Sequence, residues 1–263
     1  TMDPHMRGYL VEQLAIDESQ VTDIDGVLDM DDLMALYEVP GHRELRYSPW
    51  TPEVPPAFAD TEQGDLDVLA VIRSGDQLVH HPYDSFAGSV ERFIRQAARD
   101  PNVLAIKITV YRTSDDSALV PALIEAAERG KQAVCLVELK ARFDERRNIG
   151  WARALEESGA HVVHGLPGLK THAKAVLVVR REGQGVRHYV HIGTGNYHPK
   201  TARLYTDFGL LTTDDQIGAD VADMFNFLTG FARPRRYRRV LIAPAHLRDG
   251  ILAEIERTVA AHE

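Results

Sequence analysis

Between residues 170 and 210 the chain reads KTHAKAVLVVRREGQGVRHYVHIGTGNYHPKTARLYTDFGL, which sets a His-x-Lys pair, His172 and Lys174, and an amide side chain, Asn196, around a run of apolar residues. Those residue types suit phosphoryl transfer. A neutral imidazole can attack phosphorus and carry the group covalently, dividing one transfer into two steps, while lysine and amide donors stabilise charge on the equatorial oxygens. The pair alone is a weak signal, because a histidine beside a lysine on a sheet is commonly just solvated or hydrogen-bonded.

Positioning these groups calls for a hairpin. The alternation over 172–179 predicts a strand that projects His172 and Lys174 from one face. Residues 182–185 (EGQG) supply a turn, 186–192 a return strand, and GTGN at 193–196 brings Asn196 back toward His172. Upstream, strands are expected at 66–73, 103–111, 132–139 and 161–164, and helices at 84–99, 117–129 and 147–158, with a closing helix at 215–229. That order implies an α/β fold, a mixed β-sheet covered by helices. Arg112 and Arg142 each follow a strand's carboxyl end, where ligands of open α/β sheets gather, and guanidinium forks match phosphate oxygens. Equally, each arginine has a local acid to pair with, Asp115 or Asp116 for Arg112 and Asp144 or Glu145 for Arg142.

A formal charge of −9 over 263 residues argues against nonspecific attraction to nucleic acid or a membrane, although a local basic lining can still hold a polyanion. With 44% hydrophobic residues the chain can bury a core. Its one cysteine, Cys135, lies in the apolar run AVCLVEL and reads as a buried structural thiol. No stretch approaches the roughly 20 apolar residues of a membrane span, and no signal-peptide pattern opens the chain, so a cytoplasmic protein is expected. His161, His164, His188, His191 and His198 come with neither a cysteine pair nor an HExxH helix, so no zinc site is expected, and no GxxxxGK[ST] loop is present. Residues 1–6 (TMDPHM) read as an appended stretch outside the fold. Two amphipathic helical pieces lie within 7–38, and prolines make 40–60 an extended linker.

The stretch GLKTHAKAVLVVRR, then YVHIGTGNYHPKTARLYTDFGLL, and upstream LAIKITVYRTSDDSALVPALIEAAERGKQAVCLVELKARFDERRNIGWA, resemble polyphosphate kinase, the family that moves the terminal phosphate of ATP onto inorganic polyphosphate. The resemblance covers roughly 65–240. It implies that His172 is the phosphohistidine nucleophile, supported by Lys174 and Asn196, and that Arg112 and Arg142 meet magnesium at shared phosphates, since an arginine has no lone pair to give a metal. It implies that Tyr205 stacks on adenine; the residue alone also allows a ring packed in the core with its hydroxyl bonded. Asp207 could orient a histidine, help hold magnesium or form an ordinary ion pair, and Lys200 and Arg203 either supplement the anionic pocket or are solvated.

The resemblance further implies a phospholipase D-like domain at 61–235, preceded at 7–60 by the end of a helical domain and followed at 236–263 by the start of a second catalytic domain, which the strand-like VLIAPA at 240–245 and a helix after it would open. ATP or ADP, polyphosphate and Mg²⁺ are the implied ligands, with a homo-oligomer for the full-length protein and peripheral membrane association left open. In the family the nucleotide pocket also draws on an asparagine from the preceding domain and on an arginine and a second histidine from the sister domain, so this chain alone is expected to be inactive. Two competitors remain. His172, Lys174 and Asn196 fit part of the HxKxxxxD and GSxN pattern of phospholipase D-like phosphodiesterases and nucleases acting as homodimers, but Val179 stands at the acidic position. A noncatalytic polyphosphate-binding module is the third reading, and acid-labile phosphate on His172 separates it from an enzyme.

Overall fold

A computed structural model of the chain describes residues 2–25, 31–60, 64–111, 117–138, 145–166, 168–230 and 236–262. They form two units, Thr1–Pro49 and Trp50–Glu263. In the first, α1 (Pro4–Leu14) starts at Asp3, whose carboxylate accepts from the His5 and Met6 amides at 2.9 and 3.3 Å, with Pro4 pre-set for the first turn. Residues 3–6 therefore supply the cap and first turn of this helix. The helix buries no side chain.

The second unit is built on one mixed seven-stranded sheet. Its strands are β1 (Gln77–His81), β2 (Val103–Val110), β3 (Gln132–Val137), β4 (His161–His164), β5 (Lys174–Glu182), β6 (Gly185–Gly193) and β7 (Asp207–Thr212), in the order β1-β7-β6-β5-β2-β3-β4. Strands β2, β3 and β4 are parallel, and β2-β5-β6-β7-β1 pair antiparallel. The helices are α2 (Val68–Ser74), α3 (Arg92–Arg99, preceded by a π-helical turn over Ala87–Glu91), α4 (Leu119–Glu128), α5 (Glu145–Glu157), α6 (Asp215–Leu228) and α7 (Leu247–His262).

Because side chains alternate along a strand, the sheet sorts its residues into two cores. On one face Val176, Val178, Tyr189 and Leu211 join Ile106, Ile108 and Cys135 in a cluster with Ile72, Phe93 and Leu123 from α2, α3 and α4. On the other, Ala175, Leu177 and Val190 meet Val221, Met224 and Phe225 of α6, with Val240 and Ile242 packed alongside. Cys135 is 1% exposed and burial pushes its thiol up to about 12, so it stays a thiol within the core. Among the described residues no helix is long and apolar enough to cross a membrane.

Several elements differ from expectation. Residues 66–73, expected as a strand, form α2: Asp67 caps it by accepting from the Ala70 amide at 3.0 Å, and Val68, Leu69 and Ile72 lie on one buried helical face. The edge strand is instead β1, whose QLVHH sequence is too polar to stand out. The strand-like VLIAPA after residue 239 joins no ladder; Val240 and Ile242 cover the α6 core. The second half of the proline-rich stretch packs onto the sheet unit, where Phe58 is 1% exposed and its carbonyl accepts from Arg92 Nη1 at 2.9 Å.

Candidate active site

Strand β5 opens at Lys174, so His172 lies in the lead-in to the strand and not on its face. The cause is Thr109 of β2. Its hydroxyl donates to the Ala173 carbonyl at 2.7 Å and accepts from the Ala175 amide at 3.0 Å, taking over from the backbone ladder that pairs Val176 with Ile108. The adjoining residues are tied as well: the Thr171 amide donates to Glu138 Oε2 at 2.8 Å, and Lys174 Nζ reaches back to the His172 carbonyl at 2.6 Å. Each of these partners is a buried polar side chain at or beside the end of an apolar strand. Asn148 of α5 joins the same strand ends, its Nδ2 donating at 3.1 Å to both the Tyr111 and Glu138 carbonyls.

The His172 ring itself is exposed and packs at a steep angle to Tyr111, with ring centroids 5.3 Å apart. Lys170 and Lys174 also gather on Tyr111, their ammonium groups 5.2 and 5.6 Å from the ring centroid. Partial burial and then Lys174 and Lys170 hold His172 below the ordinary imidazole value, favouring the neutral, nucleophilic form. Burial brings Lys174 down to about 8, against the pull of Asp207. Lys174 is 6% exposed yet still protonated at neutral pH, a cation fixed beside the imidazole.

Gly193 of β6 pairs with Lys174, so the hairpin does return GTGN to this end of the sheet. A cavity of about 560 Å³ has Lys170, His172, Lys174 and Thr194 on one side and apolar residues such as Met224 and Ile242 on the other. It is Thr194 that shares this space with His172; Asn196 faces a neighbouring small cavity with His81, His191 and Asp207. Asp207 accepts from the Thr194 hydroxyl at 2.7 Å and packs over Gly195, where a Cβ would come within 2.5 Å of Oδ2. The glycine is what lets the carboxylate approach.

Tyr205 precedes β7 and is 64% exposed, which removes the core-packed reading of its ring. Lys200 and Arg203 are exposed on the turn around Thr201–Arg203, and Arg203 borders a separate depression with Trp50, Pro52 and Phe86. Arg112 and Arg142 lie outside the described residues. The histidines weighed for zinc are scattered: His191 is buried against Tyr197, His188 lies against Gly218 of α6, and His161 and His164 sit on β4. Among the described residues no group of three or more His, Cys, Asp or Glu is arranged to hold a metal ion.

Sequence reasoning missed Tyr111, Lys170, Thr109 and Thr194. Thr109 and Glu138 carried a signal, a polar residue in or against an otherwise apolar strand, whereas the meeting of Tyr111 with Lys170 depends on contacts between distant segments.

With this geometry in view, the family model for polyphosphate kinase C-terminal domain 1 matches residues 67–234. A polyphosphate kinase of Mycobacterium avium (strain 104) is 56% identical over 261 residues, 99% of this chain and 36% of the relative. One of Mycobacterium tuberculosis (strain CDC 1551 / Oshkosh) is 55% identical over 261 residues, 99% of this chain and 35% of the relative. The crystal structure of polyphosphate kinase from Porphyromonas gingivalis superposes with a TM-score of 0.74 at 32% identity, covering 94% of this chain and 40% of that one. The chain thus spans little more than a third of the length of the curated relatives it matches.

Proposed function

The chain belongs to the polyphosphate kinase family, and on that premise we propose that His172 accepts the terminal phosphoryl group of ATP and passes it to inorganic polyphosphate, reversibly, within a longer protein. The observation that carries this reading is the exposed, neutral-favoured imidazole beside Lys170 and Lys174 on a backbone pinned by Thr109, Glu138 and Lys174. In the first step a bond forms from the imidazole nitrogen to phosphorus as the bond from phosphorus to the ADP oxygen breaks. In the second, a terminal polyphosphate oxygen displaces the histidine. The fixed ammonium groups offset charge on the equatorial oxygens in both steps, and their placement before substrate arrives makes that stabilisation effective.

In this reading Asn196 adds an amide donor, Tyr205 stacks on adenine, and Arg112 and Arg142 brace the phosphates together with Mg²⁺. Lys200 and Arg203 add positive charge at the margin. In this reading a Mg²⁺ ion would enter on the nucleotide, with Asp207, near Lys174, as its one protein carboxylate, since Mg²⁺ commonly takes one or two carboxylates plus phosphate oxygens and water. Bound there, the ion supplies further neutralisation of phosphate charge. The same reading places the protein in the cytoplasm as a homo-oligomer whose other domains complete the nucleotide pocket.

The test is incubation of the full-length protein with ATP labelled in its terminal phosphate. Acid-labile, alkali-stable label on His172 is expected, and His172→Ala should lose both the label and polyphosphate synthesis while keeping its fold. Normal turnover by a folded His172→Ala protein would refute the assignment.

A further inference from the structure

Three buried polar atoms that bond to no other protein group, His81 Nε2, His191 Nε2 and Asn196 Oδ1, belong to residues lining one cavity of about 10 Å³, which also borders Gly193, Gly195 and Asp207. What each atom can do is decided by the rest of its side chain. His191 Nδ1 lies 2.8 Å from the Tyr197 hydroxyl, and Tyr197 is 2% exposed, so burial keeps that hydroxyl protonated and able to donate. Among the described residues that buried hydroxyl has no other acceptor for its proton, so it donates and Nδ1 accepts. His191 is itself held neutral, at about 3, by burial and by His81, so its one proton sits on Nε2.

His81 is the mirror case. Its Nδ1 lies 2.8 Å from the Asp84 carbonyl, which can only accept, so Nδ1 carries the proton. Burial favours the neutral ring, and Nε2 is left with a lone pair. Asn196 Oδ1 is an acceptor by nature. The three unpartnered atoms thus offer one donor and two acceptors.

Water is the molecule that complements this set, accepting through one of its two lone pairs and donating both hydrogens. Buried waters typically make about three hydrogen bonds, and a space of roughly 10–15 Å³ holds one. We propose that this cavity is a water site, in which the water accepts from His191 Nε2–H and donates to His81 Nε2 and Asn196 Oδ1. Neighbouring glycines leave room for the His191 ring beside it: a Cβ on Gly209 would lie 2.5 Å from His191 Nε2, and one on Gly193 3.0 Å from His191 Cε1. A small cation fits poorly, because the His191 donor would face it.

The consequence rests on the functional reading above. With Oδ1 held inward by the water, the Asn196 amide cannot flip, and its Nδ2 donors are reserved for phosphoryl oxygens. His81, His191 and Tyr197 are then positioning residues that act on the reaction through Asn196.

Two measurements on the full-length protein test the site without reference to activity. A crystal structure at about 1.5 Å should show one water within about 3.2 Å of all three atoms. Nitrogen-15 NMR at pH 7 should show the Nε2–H tautomer at His191 and the Nδ1–H tautomer at His81. A dry cavity, a charged ring or either opposite tautomer would overturn the proposal. The positioning role is read from His81→Phe, expected to slow phosphorylation of His172 about tenfold, the effect of one lost hydrogen bond, with KM for ATP little changed. An unchanged rate would remove that role. If the water is found and His172 never takes label, the water site stands and the kinase reading fails.

Discussion

His172 can attack phosphorus only while its ring nitrogen keeps a lone pair, and the groups that preserve that lone pair also titrate. Partial burial, Lys174 and Lys170 lower the imidazole value from 6.5, so the nucleophilic form persists to more acid pH than for a free histidine. On the alkaline side Lys174, brought to about 8 by burial, gives up its proton and with it the charge that stabilises the transferred group. The acid limb of label incorporation into His172 is therefore expected to lie below the 6.5 of a free imidazole, and the rate to drop as pH rises through about 8. An arginine keeps its charge at every accessible pH, so Lys174→Arg should move the alkaline limb upward even if the plateau rate is lower. An alkaline limb that stays in place in that variant would assign it to another group.

At the level of elements, the site depends on where one strand ends and another begins. Thr109→Val keeps the shape of the side chain but strips both bonds from the lead-in to β5, leaving the Ala173 carbonyl and the Ala175 amide unpaired beside a buried strand. Loss of stability by about 1–3 kcal/mol is expected, measured by denaturant unfolding, together with slower phosphorylation of His172 than stability alone explains. Thr109→Ser retains the hydroxyl and should recover most of the rate. The sequence made β2, β3 and β4 legible because their apolar runs are long or are bounded by glycine. It misled at 66–73, where Val68, Leu69, Ala70, Val71 and Ile72 form a short apolar run whose period does not separate strand from helix; Asp67 as a cap was the deciding sign. It misled again after residue 239, since an apolar run becomes a strand only if a ladder partner is free, and Val240 and Ile242 find α6 instead. The hairpin was read to within a few residues, yet the position of His172 was not, because a threonine 63 residues upstream in sequence, Thr109, replaces the ladder at that point.

For the whole molecule, the proposal of His172 as nucleophile comes from His172, Lys174 and the family resemblance, whereas the ring of Tyr111 that collects Lys170, Lys174 and His172 was not legible, since only the sheet brings residue 111 beside residue 172. In the proposed function that cluster serves the phosphoryl group. Recognition of the nucleotide is a separate demand, and within the described residues the one group proposed for it is Tyr205, 64% exposed. Because the chain spans 36% of the length of a relative to which it is 56% identical, we expect the remaining nucleotide contacts to come from sequence outside these 263 residues. Groups that act as a unit are not additive, and orientation alone can account for about 7–11 kcal/mol of a barrier. The 263-residue chain is therefore expected to bind phosphate weakly and to elongate polyphosphate at least about a thousandfold more slowly than the full-length protein, about 4 kcal/mol on the barrier. The check is a labelled-ATP assay of both proteins at equal concentration, with a synthetic phosphoryl donor lacking adenosine as a second arm. If the isolated chain takes label from that small donor but not from ATP, the nucleophile is intact and the missing part is nucleotide recognition; turnover of ATP equal to that of the full-length protein would show that the active site is complete within these residues.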